Sequence, residues 1–414
     1  MRIALVTDYY LPTLGGVQTA VRALADGLRG AGHDVTVFCP LTTTSADPGV
    51  VGLPVSPVFR PDGYPFAWSP ARLRSVLRRE FTARGIDVVH THSEMFAALG
   101  GVRAADDLGL PVVHTMHGRI DVYTQHVLPF PAITTALLAR LHAGQVSHAG
   151  LTVAADTDDT ATHAARRMWR VMLAQSRASD HVVVPSAHFA RRLVDRGVRT
   201  PVSVVSNGLE PSVLAAVGQG HERVLHAADT LRILWVGRLS PEKRPEVLVD
   251  AAHRFPTGVE VHVYGDGVAR SVVRRAARGA PVVLHGAVAH DQVLDAMRDA
   301  HLLVSSSSGF DNQPMVMLEA IASGLPIVHT DPDLTEVVPD GGGFCTPTPD
   351  ADGLAAVIRG LRADPALITT ASRAMVAARG RVEQQTRTMV DVYERVVRER
   401  RDRGPAPRGT TKPR

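Results

Sequence analysis

Short apolar runs of strand length alternate with amphipathic helical stretches along almost the whole chain, and this alternation starts afresh after residue 230. Helices placed between strands force crossover connections, which favour parallel sheets covered on both faces. In the first series Ile3–Thr7 reads as a strand, the loop YYLPTLGG follows, and Val17, Val21, Leu24 and Leu28 mark one face of a helix. Further strands are expected at 35–39, 87–91, 112–115, 181–185 and 202–206, with helices around 73–81 and 187–196. Residues 130–180 are Ala-rich and helical in tendency, interrupted by the polar run AADTDDTATH. Glu210–Thr230 shows no period and reads as a linker. The second series runs from the strand at 233–236 to the strand at 327–330, with short helices from Asp350 and a charged final helix over about 381–400. The expected fold is α/β, two parallel-sheet domains facing each other across a cleft. Their bounds are set at 1–212 and 213–385, followed by a helix at 386–400 and a basic tail at 401–414.

A chain of 414 residues exceeds what one core usually supports, in keeping with two domains. Its two cysteines, Cys39 and Cys345, are far apart and lack metal-ligand spacing, so a reducing compartment is the simpler reading. The start MRIALVTDYY lacks the apolar core of a signal peptide, and no stretch reaches the ~18 apolar residues of a membrane span, which points to the cytoplasm. The formal charge of +4 is uneven: residues 395–414 hold eight Lys/Arg against two Asp/Glu, leaving the body at −2. With a basic tail of disordered composition and no zinc-finger or RNA-binding motif, nucleic acid is not the expected partner.

Chemistry concentrates in SSSSGFDNQPMVMLEAIASGLPIVHT, from Ser305 to Thr330. Asp311 and Glu319 lie eight residues apart across a strand end, a loop and a helix start. Free N–H groups at a helix start suit phosphate, and fixed carboxylates suit sugar or ribose hydroxyls. The turn GRLSPEKR after the first strand of the second series carries Arg238 and Lys243, cations suited to a diphosphate leaving group. Gly15 and Gly16 would let a backbone approach phosphate at a helix start. GDGVAR, at Gly265–Arg270, is an incomplete dinucleotide fingerprint and reads as a turn touching a base or ribose. His90, His92, His114 and His117 cluster at two strand ends. A two-His metal site is weighed there and ranked below hydrogen bonding to a hydroxylated ligand, with His117 the active-site member. The Asp156–Asp158 triplet DTD is read as chance.

Taken together, the Gly-Gly loop, HTMHG, VSNGLE, GRLSPEK, GDG, HGAV and DNQPMVMLEAIASGLP resemble a family-4 retaining glycosyltransferase of the GT-B fold, over Met1 to about Arg400. The resemblance implies two Rossmann-like domains, an acceptor-side one followed by a nucleotide-sugar-binding one, and a metal-independent hexosyltransferase. Asp311 and Glu319 fall on the family's Glu-x7-Glu motif, with Asp in place of the usual first Glu. By resemblance, Glu319 binds the ribose, Asp311 the donor sugar, and Arg238 with Lys243 the diphosphate. His117 contacts the sugar near the reacting carbon. The donor set also includes Gly15, Gly16, Gly237, Gly265, His285, Asn312, Gln313, Met315 and Val316, and the acceptor side His92, Tyr123 and Asn207. No cofactor is implied beyond the nucleotide-diphosphate sugar as co-substrate.

HTMHGRIDVYTQHVLP and the DNQP form of the acidic motif are similar to transferases that glycosylate diacylglycerol or related lipids. ARLRSVLRREFTAR and ARRMWRVML offer basic surfaces to an anionic membrane at its inner face, against the reading that each is a solvated helix face. A soluble acceptor such as an inositol phosphate, a nucleotide-sugar epimerase and a non-catalytic nucleotide-sugar binder stay open as alternatives. An NAD-linked oxidoreductase ranks last for want of the full glycine fingerprint.

Overall fold

The computed structural model describes residues 1–10, 15–43, 45–57, 65–127, 130–155 and 157–403. Leu11–Leu14 of the first loop, Asp156 of the DTD triplet and the tail from residue 404 lie outside the described residues. The chain divides into two compact units, Met1–Glu210 with Gln385–Arg414, and Pro211–Gln384.

The strands of the N-terminal unit are β1 (Arg2–Val6), β2 (Asp34–Pro40), β3 (Val50–Leu53), β4 (Val88–Thr91), β5 (Val112–Thr115), β6 (His181–Val184) and β7 (Val202–Val204). They form one parallel sheet in the order β3-β2-β1-β4-β5-β6-β7. Its helices are α1 (Gly16–Gly30), α2 (Pro70–Arg84), α3 (Phe96–Leu108), α4 (Ile120–Val127), α5 (Pro131–Ala143), α6 (His163–Arg177) and α7 (Ala187–Asp195). With helices on both faces, the strands read as apolar runs instead of alternating. β4, β5 and β6 are buried at every position. α1 lays Val21, Leu24 and Leu28 into a core it shares with Ile3, Leu5 and Val37.

The C-terminal unit contains α8 (Pro211–Val217), β8 (Leu231–Val236), α9 (Pro245–Ala252), β9 (Val259–Tyr264), α10 (Arg270–Ala276) and β10 (Val282–Gly286). It continues through α11 (His290–Asp299), β11 (Leu302–Ser305), α12 (Met315–Ser323), β12 (Ile327–His329), β13 (Gly343–Cys345), α13 (Ala351–Ala363) and α14 (Ala366–Ala377). The parallel sheet order is β10-β9-β8-β11-β12-β13. The chain leaves β8 toward β9 on one side and returns through β11 on the other, so the order reverses between β8 and β11. Open α/β sheets bind ligands outside the strand ends at such a reversal.

One expectation needs correction. The stretch 210–230 is not a bare linker, because α8 buries Val213 and Arg223 is sunk into the unit. The Arg223 guanidinium donates to the carbonyls of Ala300 (3.0 Å), Met297 (2.9 Å) and His221 (2.8 Å), capping chain ends that hydropathy cannot reveal. The final helix, α15 (Gln385–Arg403), returns to the N-terminal unit, where Met389, Val392, Tyr393 and Val396 complete the core beside α1.

Candidate functional site

In the C-terminal unit the two loops flanking the sheet reversal meet. Pro241–Lys243 forms a single 3-10 turn, and Arg244 then adopts a left-handed backbone (φ 48°) before α9 begins. A non-glycine residue there costs about 1 kcal/mol, and such strain concentrates at functional loops. The Lys243 ammonium donates to Asp311 Oδ1 at 2.6 Å, while Ser307 Oγ donates to Asp311 Oδ2 at 2.5 Å. The backbone beneath is fastened too: Trp235 Nε1 donates to Ser306 Oγ (2.9 Å), which donates to the Lys243 carbonyl (2.9 Å). Asp311 therefore holds a short ion pair across the reversal point.

Arg238, on the same turn, donates to Glu242 Oε1 at 3.0 Å, and Ser240 Oγ donates to that oxygen at 2.6 Å. The Glu242 carboxylate is buried, and its second oxygen has no partner among the described residues. Glu242 thus orients the half-exposed Arg238.

Buried Glu319 accepts from His290 Nε2 at 2.9 Å. His290 opens α11, the helix after β10, and Glu319 lies on α12 after β11. Asn312 is buried, and Gln313 follows it in the loop. Pro314, at the start of α12, offers no capping side chain, and the Met315 and Val316 amides sit in a first turn that lacks intrahelical acceptors. Amides, a buried carboxylate and two cations therefore gather on one edge of this unit.

The other predicted donor positions receive different roles. The Gly237 amide donates to the Tyr264 carbonyl (3.0 Å) and the Gly265 amide to the Gly286 carbonyl (2.8 Å), so both are spent on loop packing. A Cβ on Gly265 would come within 1.9 Å of the Gly237 carbonyl oxygen, and its φ of 134° also demands glycine. His285 stacks flat on Tyr264, with centroids 4.1 Å apart at 4°, and shares a 3.0 Å hydrogen bond with His262. The result is an exposed planar face.

In the N-terminal unit the sheet order reverses between β1 and β4, and polar side chains cluster there as well. Asp8, just past β1, accepts from Ser93 Oγ (2.6 Å) and from the Ala97 (2.8 Å) and Ala98 (3.3 Å) amides at the start of α3. Burial raises its carboxyl to about 6. His92 Nδ1 and His117 Nε2 lie 3.0 Å apart with stacked rings. His90 does share a face with His92, with centroids 4.0 Å apart. Both His90 nitrogens are already engaged, by the Tyr393 hydroxyl and by Thr115 Oγ1, each at 2.6 Å, which removes it as a metal ligand. Among the described residues no group of three or more His, Cys, Asp or Glu is disposed to hold a metal ion. Burial and then the nearby His114 push His117 down to about 3, so its imidazole stays neutral near pH 7.

The loop carrying His117 leads into Arg119, which forks onto Asp121 at 2.9 and 2.6 Å and reaches Asp159 at 2.9 Å. This buried pair fixes the start of α4, on which Tyr123 lies one turn further. Gly15 precedes α1 in extended conformation (φ 176°), and Gly16 is the first residue of that helix. Asn207 is buried after β7, two strands from β5. The structure brings together His92 and His117 of the expected histidine cluster, and Lys243 and Asp311 of the expected donor set. Sequence reasoning missed Asp8 and His290, whose partners are set by strand order, and Glu242 and Ser307, whose partners lie within their own loops. Only the placement of Asp8 directly at a strand end was a readable signal.

Comparison with known proteins adds a family. A model described as Glycosyltransferase Family 4 matches residues 14–213, and one described as Glycosyl transferases group 1 matches residues 230–364. The chain is 25% identical to alpha-monoglucosyldiacylglycerol synthase of Streptococcus pneumoniae over 361 residues, 82% of this chain and 74% of that protein. It is 27% identical to phosphatidyl-myo-inositol mannosyltransferase of Mycolicibacterium smegmatis, covering 89% of this chain and 86% of the relative. Among solved structures, sucrose-phosphate synthase from Thermosynechococcus elongatus shares the fold, with a TM-score of 0.68, 19% identity and coverage of 96% and 99%.

Proposed function

Because this chain belongs to glycosyltransferase family 4 and has the GT-B fold, we propose that it moves a hexose from a nucleotide-diphosphate sugar to a lipid or glycolipid hydroxyl, retaining anomeric configuration. The observation that carries the reading is the meeting of Lys243, Asp311 and the start of α12 at the sheet reversal of the C-terminal unit. The lipid acceptor draws on what the two relatives are named for.

In this scheme the diphosphate takes the Lys243 ammonium from Asp311, with Arg238 beside it. The freed carboxylate then accepts hydrogen bonds from sugar hydroxyls. The Met315 and Val316 amides supply main-chain donors to phosphate. Glu319, oriented by His290, accepts from the ribose. The acceptor oxygen forms a bond to the anomeric carbon on the face the phosphate leaves, the carbon–phosphate-oxygen bond breaks, and the acceptor proton passes to the departing oxygen. Lys243 and Arg238 stabilise the charge on that leaving group. His117, neutral near pH 7, hydrogen-bonds a sugar hydroxyl and is not the proton donor.

The test is transfer from UDP-, GDP- and ADP-hexoses, each offered with diacylglycerol vesicles or with soluble inositol phosphate. The expected result is a glycolipid product from one nucleotide class. Turnover confined to the soluble acceptor would contradict the lipid reading.

A further inference from the structure

α5 turns only part of its apolar surface inward, with Leu141 packed against the core. It buries Thr135 and His142, while Ile133 (70% exposed) and Leu137 (55%) face solvent with Arg140 in line at helical spacing. Phe130, at the helix start, is 78% exposed and adopts a left-handed backbone, φ 48°. An aromatic residue in that conformation pays backbone strain with no compensating burial of its ring. Large apolar side chains aligned on one exposed face mark a surface that another body covers.

The surrounding charge identifies that body. α6 packs beside α5, and Arg167 donates to the Ala132 carbonyl at 2.8 Å, which puts its guanidinium next to the start of the apolar stripe. Arg170 is exposed one turn along. No Asp or Glu occurs at residues 130–155 or 160–177. Apolar side chains flanked by Arg140, Arg167 and Arg170 match an anionic bilayer, whose acyl boundary takes the stripe and whose headgroups take the arginines. α2, the other basic helix, buries Leu73, Leu77 and Phe81 and pairs Arg74 with Asp107, so it offers charge without an apolar insertion. Among the described residues no helix is long and apolar enough to cross a membrane, which leaves surface docking as the mode α5 can serve.

The geometry points to the exposed face of α5, with Arg140 and the α6 residues Arg167 and Arg170, as the docking surface for an anionic lipid bilayer. This deepens the proposed function and rests on it only for the purpose of docking, because α4 follows the His117 loop and packs against α5. Docking there holds the N-terminal unit against the layer that contains a lipid acceptor.

The experiment is co-sedimentation of the full chain with phosphatidylcholine vesicles, with and without phosphatidylglycerol. Ile133→Ser/Leu137→Ser and Arg167→Gln/Arg170→Gln are compared with the parent. The parent is expected to bind the phosphatidylglycerol vesicles preferentially, and each double variant to lose on the order of 10-fold in affinity or more. Donor-induced thermal shifts should be unchanged, which shows that the variants fold. Undiminished vesicle binding by the variants overturns the proposal. So does light scattering in which Ile133→Ser/Leu137→Ser merely splits a dimer while vesicle binding persists, since the face then belongs to a second copy. Vesicle binding that needs this face, without glycolipid formation, would count against the proposed function alone.

Discussion

The two units carry their polar groups in opposite ways. The N-terminal unit buries imidazoles and pairs them with fixed hydroxyls or with one another, as His90 is held by Tyr393 and Thr115 and His92 lies against His117. The C-terminal unit keeps charged side chains at its sheet edge and pairs them with one another, Lys243 with Asp311 and Arg238 with Glu242. Neutral buried partners cannot be exchanged without leaving an orphaned group, so they make a rigid frame. Ion pairs whose cation reaches solvent, as Arg238 does and Lys243 does in part, can exchange partners, which is what a site must do when an anionic ligand arrives.

Acid should break the contrast most strongly. Burial holds His117 and His142 near 3 and His148 and His181 near 4, all in the N-terminal unit. Their unfolded value is 6.5, so the stability they contribute is complete above 6.5 and is lost as pH falls toward 3–4. Each fully buried histidine removes up to about 1.4 kcal/mol per pH unit in that window. Asp8 acts the other way, since its raised pKa adds stability between about 6 and 3.8, but it is one group against several. Hydrogen-exchange protection factors at pH 7 and pH 5 should therefore drop far more in β4–β6 than in β8–β12. An equal drop in both would erase the distinction.

A smaller effect is expected from Tyr393→Phe, which leaves His90 Nδ1 buried without its hydroxyl partner. The cost should be about 1–3 kcal/mol by urea denaturation. A neutral result would mean that α15 contributes packing and nothing polar to the N-terminal frame.

The sequence spoke clearly wherever one period dominated. Apolar strand runs such as VVHT and helix faces such as Val21, Leu24 and Leu28 gave α/β alternation directly, and chain proximity placed Lys243 after β8. Pairings decided by strand order were silent. His290 and Glu319 are 29 residues apart and meet only because α11 and α12 follow strands on the two sides of β8. α5 escaped for a different reason: its apolar count is ordinary, and only packing decides that Ile133 and Leu137 face out while Leu141 faces in. The short helix α8 has too few residues to display a period, so packing around Arg223 revealed what composition had hidden.

The central claim is that Lys243 exchanges Asp311 for the leaving phosphate. Its most direct test is the turnover number of Lys243→Ala at saturating donor, with a thermal midpoint confirming the fold. Turnover should fall by more than about 10-fold through lost leaving-group stabilisation. Turnover equal to the parent's would contradict the account and remove the ammonium from the mechanism.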